Sequence, residues 1–135
     1  MLRTAPPLPR RRAFVALPLA WAALVLVLTL TPSEEMPKTP DWQLLSFDTA
    51  AHAGVFTVLA VLAYFSAGRQ ESWLALRRHA LGLVLLACIA FGAIIEILQM
   101  TMKLGRHGEW SDLISDTIGA GIGLGLMYVT RRFWR

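Results

Sequence analysis

The sequence predicts an all-α, polytopic membrane protein that folds as a bundle of four transmembrane helices, with both termini on the cytoplasmic side. Of its 135 residues, 56% are hydrophobic and only 16% are charged, whereas about a quarter of the residues in soluble domains are charged. The hydrophobic residues also lie in long blocks and do not alternate with polar ones. Such blocks are typical of segments that lipid surrounds.

The four predicted spans are residues 14–30, 49–67, 80–100 and 113–130. Each contains roughly 17–21 residues, which at a rise of about 1.5 Å per residue crosses a hydrocarbon layer of about 30 Å, or nearly so. Lipid offers no partner for backbone polar groups, so each segment must satisfy its own as a helix. The first span ends at Thr31-Pro32, because proline cannot continue a helix.

We divide the chain into a basic cytoplasmic N-terminus (1–13), the transmembrane domain (14–130) and a basic cytoplasmic tail (131–135). An apolar run that follows Arg10, Arg11 and Arg12 would also suit a cleaved signal peptide. The run is long for that purpose, however, and no small-x-small cleavage site follows it. We therefore expect the first span to be retained.

The orientation follows from the distribution of Lys and Arg, since cytoplasmic loops are enriched in both. Ten of these residues lie at the termini and in the second connection, namely Arg3, Arg10, Arg11, Arg12, Arg69, Arg77, Arg78, Arg131, Arg132 and Arg135. The other two connections contain only Lys38, Lys103 and Arg106. This asymmetry predicts that the termini and the second connection are cytoplasmic. The basic residues form no continuous surface, so no nucleic acid partner is expected.

Ionisable residues recur at a similar depth in three of the predicted helices. His52, Glu96 and Asp116 each lie about one turn inside the predicted outer boundary. Each has a polar neighbour on the same helical face at a spacing of three or four residues; these neighbours are Asp48, Gln99 and Asp112. Charged groups in a membrane usually face the bundle interior and mark function. The spacing therefore predicts one polar site that opens outward between the second, third and fourth spans.

Small residues support that arrangement. Gly119 and Gly123 share a face with Asp116, and Cys88 and Gly92 lie at intervals of four beneath Glu96. Such small-residue faces allow helices to approach closely. We interpret the lone cysteine, Cys88, as a packing residue.

A loop with Arg106 joins the third and fourth spans, and we expect it to lie over the polar site, where Arg106 can meet a carboxylate or an incoming anion. Two plainer interpretations stay open. Asp48 and His52 can simply complement the start of a helix, and the remaining polar residues can form an internal ion-pair network.

Several motifs resemble the VanZ-like family of small bacterial integral membrane proteins over roughly residues 48–125. They are Asp48-x-x-x-His52, Glu96-x-x-Gln99, Gly105-Arg106-x-Gly108-Glu109-Trp110-Ser111-Asp112 and Asp116-Thr117-x-Gly119-Ala120-x-x-Gly123. The family commonly has Lys where this chain has Thr49, and Asn where it has Asp116, so the site here is more acidic than is usual. The resemblance implies a multi-pass protein of the bacterial cytoplasmic (inner) membrane. The family takes its name from a protein linked to low-level teicoplanin resistance, which implies a role in antibiotic tolerance.

Three functions remain open at this stage. The first is a non-enzymatic protein that binds an envelope lipid, a cell-wall precursor or a glycopeptide through Asp48, His52, Glu96, Gln99, Arg106, Asp112 and Asp116. The second is an enzyme acting on a lipid-linked substrate, with His52 as general base, Asp48 orienting it, and Glu96 or Asp116 as acid or metal ligand. The third is a subunit of an oligomeric transporter.

The enzyme hypothesis lacks a recognisable catalytic motif, so binding is the favoured function and no catalytic residue is assigned beyond the candidates His52, Asp48 and Glu96. No cofactor is predicted. No metal-ligand spacing is diagnostic, although a divalent ion is an open alternative because His52 lies among carboxylates. The oligomeric state is not predicted.

Overall fold

The computed structural model describes residues 14–32, 47–103 and 108–134. Within these ranges the chain forms five helices and no strand: α1 (Ala16–Leu30), α2 (Phe47–Gly68), α3 (Leu74–Arg78), α4 (Ala80–Thr101) and α5 (Trp110–Trp134). The all-α prediction is therefore confirmed. In the described part of the chain, α2, α4 and α5 are long and apolar enough to cross a membrane, and α1 is a shorter apolar helix. The molecule is a multi-pass membrane protein.

The helix bounds differ from the predicted spans at several ends. α1 has 15 residues and is about 22 Å long, so it is shorter than α2 and α4, which have 22 residues each. It ends before Thr31, whose backbone is extended (φ −68°, ψ 131°), as the residue before a proline should be.

The two ends of α5 also lie beyond the predicted span. α5 begins at Trp110, not at residue 113, and continues to Trp134. Arg131 and Arg132 thus occupy its last turn, where cations interact favourably with the helix dipole. α5 therefore continues through the predicted start of the cytoplasmic tail at residue 131. The short helix α3 was not predicted.

The long helices run antiparallel to their neighbours in sequence, and hydrogen bonds show which ends meet. Gln99, near the end of α4, donates to the Thr29 carbonyl near the end of α1 (2.8 Å). Ser115, near the start of α5, donates to the Thr49 carbonyl near the start of α2 (2.7 Å). The ends of α1 and α4 and the starts of α2 and α5 therefore lie together, and α3 links α2 and α4 at the opposite end.

The closest helix pair is α2 with α5, and glycine makes the contact possible. A Cβ atom at Gly119 would overlap the Ala53 carbonyl group. Where the two backbones meet, the Thr57 hydroxyl lies 2.9 Å from the Gly119 carbonyl oxygen and 2.8 Å from that of Ala53. The predicted close approach along the glycine face of α5 is thus present, and it brings the polar residues of α5 against α2.

The outer surface of the bundle is apolar. Large hydrophobic side chains are exposed along one face of α5, at Ile114, Ile118, Ile122 and Leu126. In water such a continuous apolar patch would promote association, whereas in a bilayer lipid chains cover it. The core is small by comparison, and its largest fully buried apolar side chains are Phe56, Ile95 and Val25.

Candidate functional site

Three helices bring their ionisable residues together inside the bundle. His52 of α2, Glu96 of α4 and Asp116 of α5 are buried, with 3%, 0% and 0% of their surface exposed. One potential ligand atom from each lies within 4.8 Å of the others. These side chains, together with Asp48 and Asp112, are called the polar cluster below. The helix faces expected from the spacing of these residues therefore meet at one point.

His52 and Asp116 form the central pair of the polar cluster. The Nδ1 atom of His52 lies 2.9 Å from Oδ1 of Asp116, and both side chains are buried. Because a histidine is fixed in its tautomer and orientation by the partner of one ring nitrogen, Asp116 orients the imidazole through Nδ1. The sequence suggested Asp48 for this role. In the structure Asp48 lies one turn closer to the start of α2, and its side chain is exposed.

Glu96 joins α4 to the chain segment that leads into α5. Its Oε2 atom accepts a hydrogen bond from the backbone N–H of Glu109 (2.8 Å). Lys103, just past the end of α4, has a positive φ of 49°, and the described chain resumes at residue 108 beside this helix. Gly108 packs closely on the Glu96 backbone there. Arg106, which the sequence placed over the site, lies outside the described residues.

Two carboxylate oxygens in the polar cluster have no hydrogen-bond partner among the described residues. They are Oε1 of Glu96 and Oδ2 of Asp116. A Cβ atom at Gly92 would lie only 2.8 Å from Asp116 Oδ2, so the lack of a side chain there makes room for this carboxylate. Buried polar atoms are normally hydrogen-bonded, and each exception requires an explanation. Unpaired acceptors in an apolar surrounding are costly, so these two oxygens would gain from a partner that the described residues do not supply.

Asp112 and Asp48 form a second triple with His52. Ligand atoms of these three residues also lie within 4.8 Å of one another. Asp112 is buried in the first turn of α5, and Asp48 is exposed in the first turn of α2. Both carboxylates suit the positive ends of their helix dipoles, an effect that fades beyond the first turn. The helix dipoles therefore stabilise these two residues more than Asp116, which lies a turn deeper.

Gln99 has a different surrounding from the one predicted. It is buried, but its amide nitrogen donates to the Thr29 carbonyl of α1. The last four carbonyls of a helix have no partner within that helix, and in lipid they must find one elsewhere. Gln99 thus caps α1, which makes it a structural residue at the edge of the site. Its predicted role in ligand binding stays untested.

Sequence reasoning missed the hydroxyl groups that hold α2 against α5. Ser115 donates to the Thr49 carbonyl (2.7 Å), and Thr57 lies within hydrogen-bonding distance of the Gly119 carbonyl (2.9 Å). Both flank the His52–Asp116 pair. Ser115 directly precedes Asp116 and Thr57 follows His52 by five residues, so their place beside predicted site residues was the available signal. Such hydroxyl contacts between helices are common in membrane bundles.

An apolar cavity of about 540 Å³ lies between α1, α2, α3 and α4. Its walls include Pro18, Ala22, Leu59, Ala63, Cys88 and Phe91. Cys88 precedes Gly92 by one helical turn on the buried face of α4, so the cavity reaches to within about two turns of Glu96. The cavity is the right chemical environment for a hydrocarbon chain, and the polar cluster for a polar group.

Comparison with known proteins identifies one relationship. A model of the VanZ/LLP1 family matches residues 14–131, which is most of the chain and includes every residue of the polar cluster. No curated protein and no solved structure matches significantly. The resemblance that the motifs indicated is therefore confirmed.

Proposed function

Because the chain belongs to the VanZ/LLP1 family of membrane proteins, we propose that it binds the polar head group of an amphiphilic envelope molecule in the polar cluster. The candidate molecules are an envelope lipid, a cell-wall precursor and a glycopeptide such as teicoplanin. Binding would contribute to antibiotic tolerance by holding the amphiphile at the membrane. The observation that carries the proposal is the pair of buried oxygens on Glu96 and Asp116 that have no hydrogen-bond partner in the described ranges, since a ligand would supply one.

The proposed setting is the bacterial inner membrane, with four spans and both termini in the cytoplasm. The charge distribution supports this orientation. Arg69, Arg77 and Arg131 lie at the end of the bundle that α3 closes, while the polar cluster lies at the other end. Lys and Arg mark the cytoplasmic side. The polar cluster would then face the outer leaflet, where envelope lipids and glycopeptides are found.

The apolar cavity supports an amphiphile over a small polar ligand. A head group in the polar cluster would place its hydrocarbon chain along the inner part of α4, past Phe91 and Cys88, where the cavity walls are almost entirely apolar. Ligand sites in proteins commonly pair such an apolar lining with a few convergent polar groups. A soluble ion or sugar alone would leave the cavity unused.

Direct binding to the purified full-length protein in lipid nanodiscs tests the proposal. The probes are phosphatidylethanolamine, phosphatidylglycerol, a polyprenyl phosphate and teicoplanin, followed by native mass spectrometry. We expect at least one probe to bind to the wild-type protein, and its affinity to fall about tenfold or more in His52→Ala and Glu96→Gln variants, because a lost charged hydrogen bond is worth about 1.5–3 kcal/mol.

Glu109→Gln is the matched control for Glu96→Gln, since the Glu109 side chain is exposed and its backbone N–H, which contacts Glu96, is kept. If the loop contributes an anion contact, Arg106→Ala should lower the affinity for the anionic probes and leave the affinity for the other probes unchanged. Failure of all four probes to bind, or equal binding by wild type and both cluster variants, would refute the proposal.

A strain from which the gene is deleted should also become more sensitive to envelope antibiotics. The wild-type gene should restore tolerance, whereas genes that encode the His52→Ala or Glu96→Gln variant should not.

A second candidate, an enzyme acting on a lipid-linked substrate, is favoured by one observation. The Nδ1 atom of His52 is bound to a carboxylate, which is how a general base is held in the correct tautomer in many enzymes. In this alternative His52 takes a proton from the attacking group and Asp116 orients it. Turnover of a polyprenyl phosphate substrate should then disappear in His52→Ala. Turnover that survives both His52→Ala and Glu96→Ala would exclude an enzymatic site here.

A further inference from the structure

The buried part of the polar cluster has more negative than positive charge. Glu96 and Asp116 are fully buried carboxylates, and the only cationic group that pairs with either of them in the described part of the chain is the imidazole of His52. A protonated His52 would offset one of the two negative charges. Transfer of an unpaired carboxylate out of water costs several kcal/mol even after the protein relaxes. A further cation or a proton between α4 and α5 would offset the remaining negative charge.

The two buried carboxylates also have too few hydrogen-bond donors around them in the described part of the chain. One oxygen of each carboxylate is hydrogen-bonded. Oε2 of Glu96 bonds to the backbone N–H of Glu109, and Oδ1 of Asp116 bonds to Nδ1 of His52. The other oxygen of each is buried and has no hydrogen-bond partner among the residues that the structure describes. Two free carboxylate oxygens beside an imidazole are a set of metal ligands, since all three donors coordinate divalent cations.

We propose that His52, Glu96 and Asp116 bind one divalent transition-metal ion, of the Zn²⁺ or Mn²⁺ class, between α2, α4 and α5. Ligand atoms of the three side chains lie within 4.8 Å of one another. Donors that share one ion at bond lengths of about 2.1 Å lie about 3.4 Å apart in tetrahedral geometry. The required contraction is therefore at most about 1.4 Å, which side-chain rotation can supply. The ion balances both carboxylates and gives the unpartnered oxygens a partner.

The ligand set selects the class of ion. Ca²⁺ takes six to eight oxygen ligands, and Mg²⁺ keeps most of its water, so neither suits a dry site with one imidazole and two carboxylates. Imidazole and carboxylate together favour Zn²⁺ and Mn²⁺. Three protein ligands leave at least one coordination position open, as in catalytic zinc sites. That position is available to an oxygen atom of a bound molecule.

The inner triple is preferred over Asp48, His52 and Asp112, although both have suitable spacing. The unpartnered oxygens belong to the inner triple, and all three of its residues are buried, whereas Asp48 is exposed. A bound ion stabilises carboxylates most where water does not already solvate them. Both triples contain His52. Because one ring nitrogen binds one ion, that nitrogen can serve only one of the two triples at a time.

This inference deepens the proposed function, on which its biological use rests. A metal ion with an open position binds phosphate oxygens, so the head group that the polar cluster would receive is a phosphate or pyrophosphate ester. Without an ion, the same carboxylates would repel such a group. The proposed class of ligand is therefore an anionic, lipid-linked phosphate.

The test measures metal directly on the full-length, tag-free protein in detergent, with no lipid probe added. After chelation, the protein is dialysed against Zn²⁺, Mn²⁺, Mg²⁺ or Ca²⁺, and bound metal is counted by mass spectrometry. We expect about one Zn²⁺ or Mn²⁺ per chain and no stoichiometric Mg²⁺ or Ca²⁺. Glu96→Gln and Asp116→Asn should each weaken binding by at least about 10–100-fold, the range that even outer-sphere changes produce. Glu109→Gln should leave binding unchanged.

X-ray absorption of the wild-type protein loaded with Zn²⁺ requires no variant and therefore does not depend on variant folding. We expect nitrogen and oxygen ligands only, at about 2.0–2.1 Å, whereas a sulfur ligand at about 2.3 Å would place the ion at Cys88 and overturn the assignment. Absence of stoichiometric metal, or loss of metal in Asp48→Asn and Asp112→Asn but not in Glu96→Gln, would also overturn it. Lipid binding without metal would refute this inference and leave the proposed function standing. Metal binding without lipid binding would support this inference and refute the proposed function.

Discussion

At the scale of single residues, the most consequential feature is that one acidic side chain connects three helices. Asp116 of α5 pairs with His52 of α2, and it fits against α4 because Gly92 has no side chain. Its position in the chain is one turn past the start of α5, too deep for the helix dipole to stabilise it strongly. The stability of the carboxylate therefore depends on partners from other helices, and so does the orientation of His52.

Gln99 gives a testable consequence at this scale. Gln99→Leu keeps the side-chain volume but leaves the buried Thr29 carbonyl without its donor. An unsatisfied buried acceptor costs about 1–3 kcal/mol, and measured values between membrane helices lie toward the lower end. We expect the free energy of unfolding, measured by denaturant titration in mixed micelles, to fall by about 1–2 kcal/mol.

Gln70→Leu is the control, because it makes the same chemical change just past the end of α2, at the opposite end of the bundle from the Thr29 carbonyl. An equal effect of the two substitutions would contradict the capping role of Gln99.

The spacing of residues predicted which side chains face inward, but not which of them pair. His52, Glu96 and Asp116 each lie on the buried face of their helix because small and polar residues recur there every three or four positions. The partners depend on the rotation and height of each helix relative to the others, and these are set by packing across the whole bundle. Spacing alone therefore indicates neither the pairing of His52 with Asp116 nor the contact of Gln99 with α1.

At the scale of elements, the contact between α2 and α5 determines the geometry of the polar cluster. Gly119 lies one turn below Asp116, directly against Ala53, which is the neighbour of His52. A larger residue at 119 would force the helices apart at the height of the His52–Asp116 hydrogen bond. The small residue and the polar pair are therefore two parts of one contact.

Replacement of Gly119 by valine tests this contact. We expect Gly119→Val to lower the free energy of unfolding by about 1–3 kcal/mol or more, as overpacking does, and to weaken binding of any cluster ligand. Gly121→Val is a close control, since a Cβ atom there meets nothing within 4 Å. Both variants add the same β-branched side chain to the same helix. Similar losses in both would mean that helix propensity, and not the α2–α5 contact, causes the effect.

The helices themselves were largely predictable, and their ends were less so. A span surrounded by lipid needs a nearly continuous apolar run, and such runs clearly predict the three long helices. Their ends depend on local capping and on neighbours, so α5 begins at Trp110 and ends at Trp134, beyond the apolar run at both ends. α3 is only five residues long, and a helix so short carries no periodic signal.

At the scale of the whole molecule, charge is divided between the two ends of the bundle. The arginines of the described ranges lie at the α3 end, where Arg69 stacks on Phe65 at 4.6 Å from the ring centroid and Arg131 on Tyr128 at 4.0 Å. All buried Asp, Glu and His residues in the described ranges lie at the opposite end. A transport path would need polar groups along the full length of the bundle, so this distribution favours binding at one surface.

Cysteine labelling tests the proposed orientation. In a Cys88→Ala background, Glu109→Cys should react with a membrane-impermeant maleimide added to intact, outer-membrane-permeabilised cells or spheroplasts, because it lies beside the polar cluster. Glu71→Cys, which precedes α3, should react only after the inner membrane is opened. The reverse pattern would place the polar cluster in the cytoplasm and contradict the proposed function at the outer leaflet.

The account depends most on the buried pairing of His52 with Asp116, and a double-mutant cycle measures it most directly. His52→Leu alone should lower the free energy of unfolding by about 3–5 kcal/mol, because it leaves a buried carboxylate without its partner. His52→Leu with Asp116→Leu should cost less than the sum of the single changes by about 0.5–3 kcal/mol, as contacting residues do. His52→Leu combined with Glu109→Gln should be additive. If the two losses at positions 52 and 116 instead add to within about 0.5 kcal/mol, the two side chains do not share one site, and the polar cluster does not exist as described.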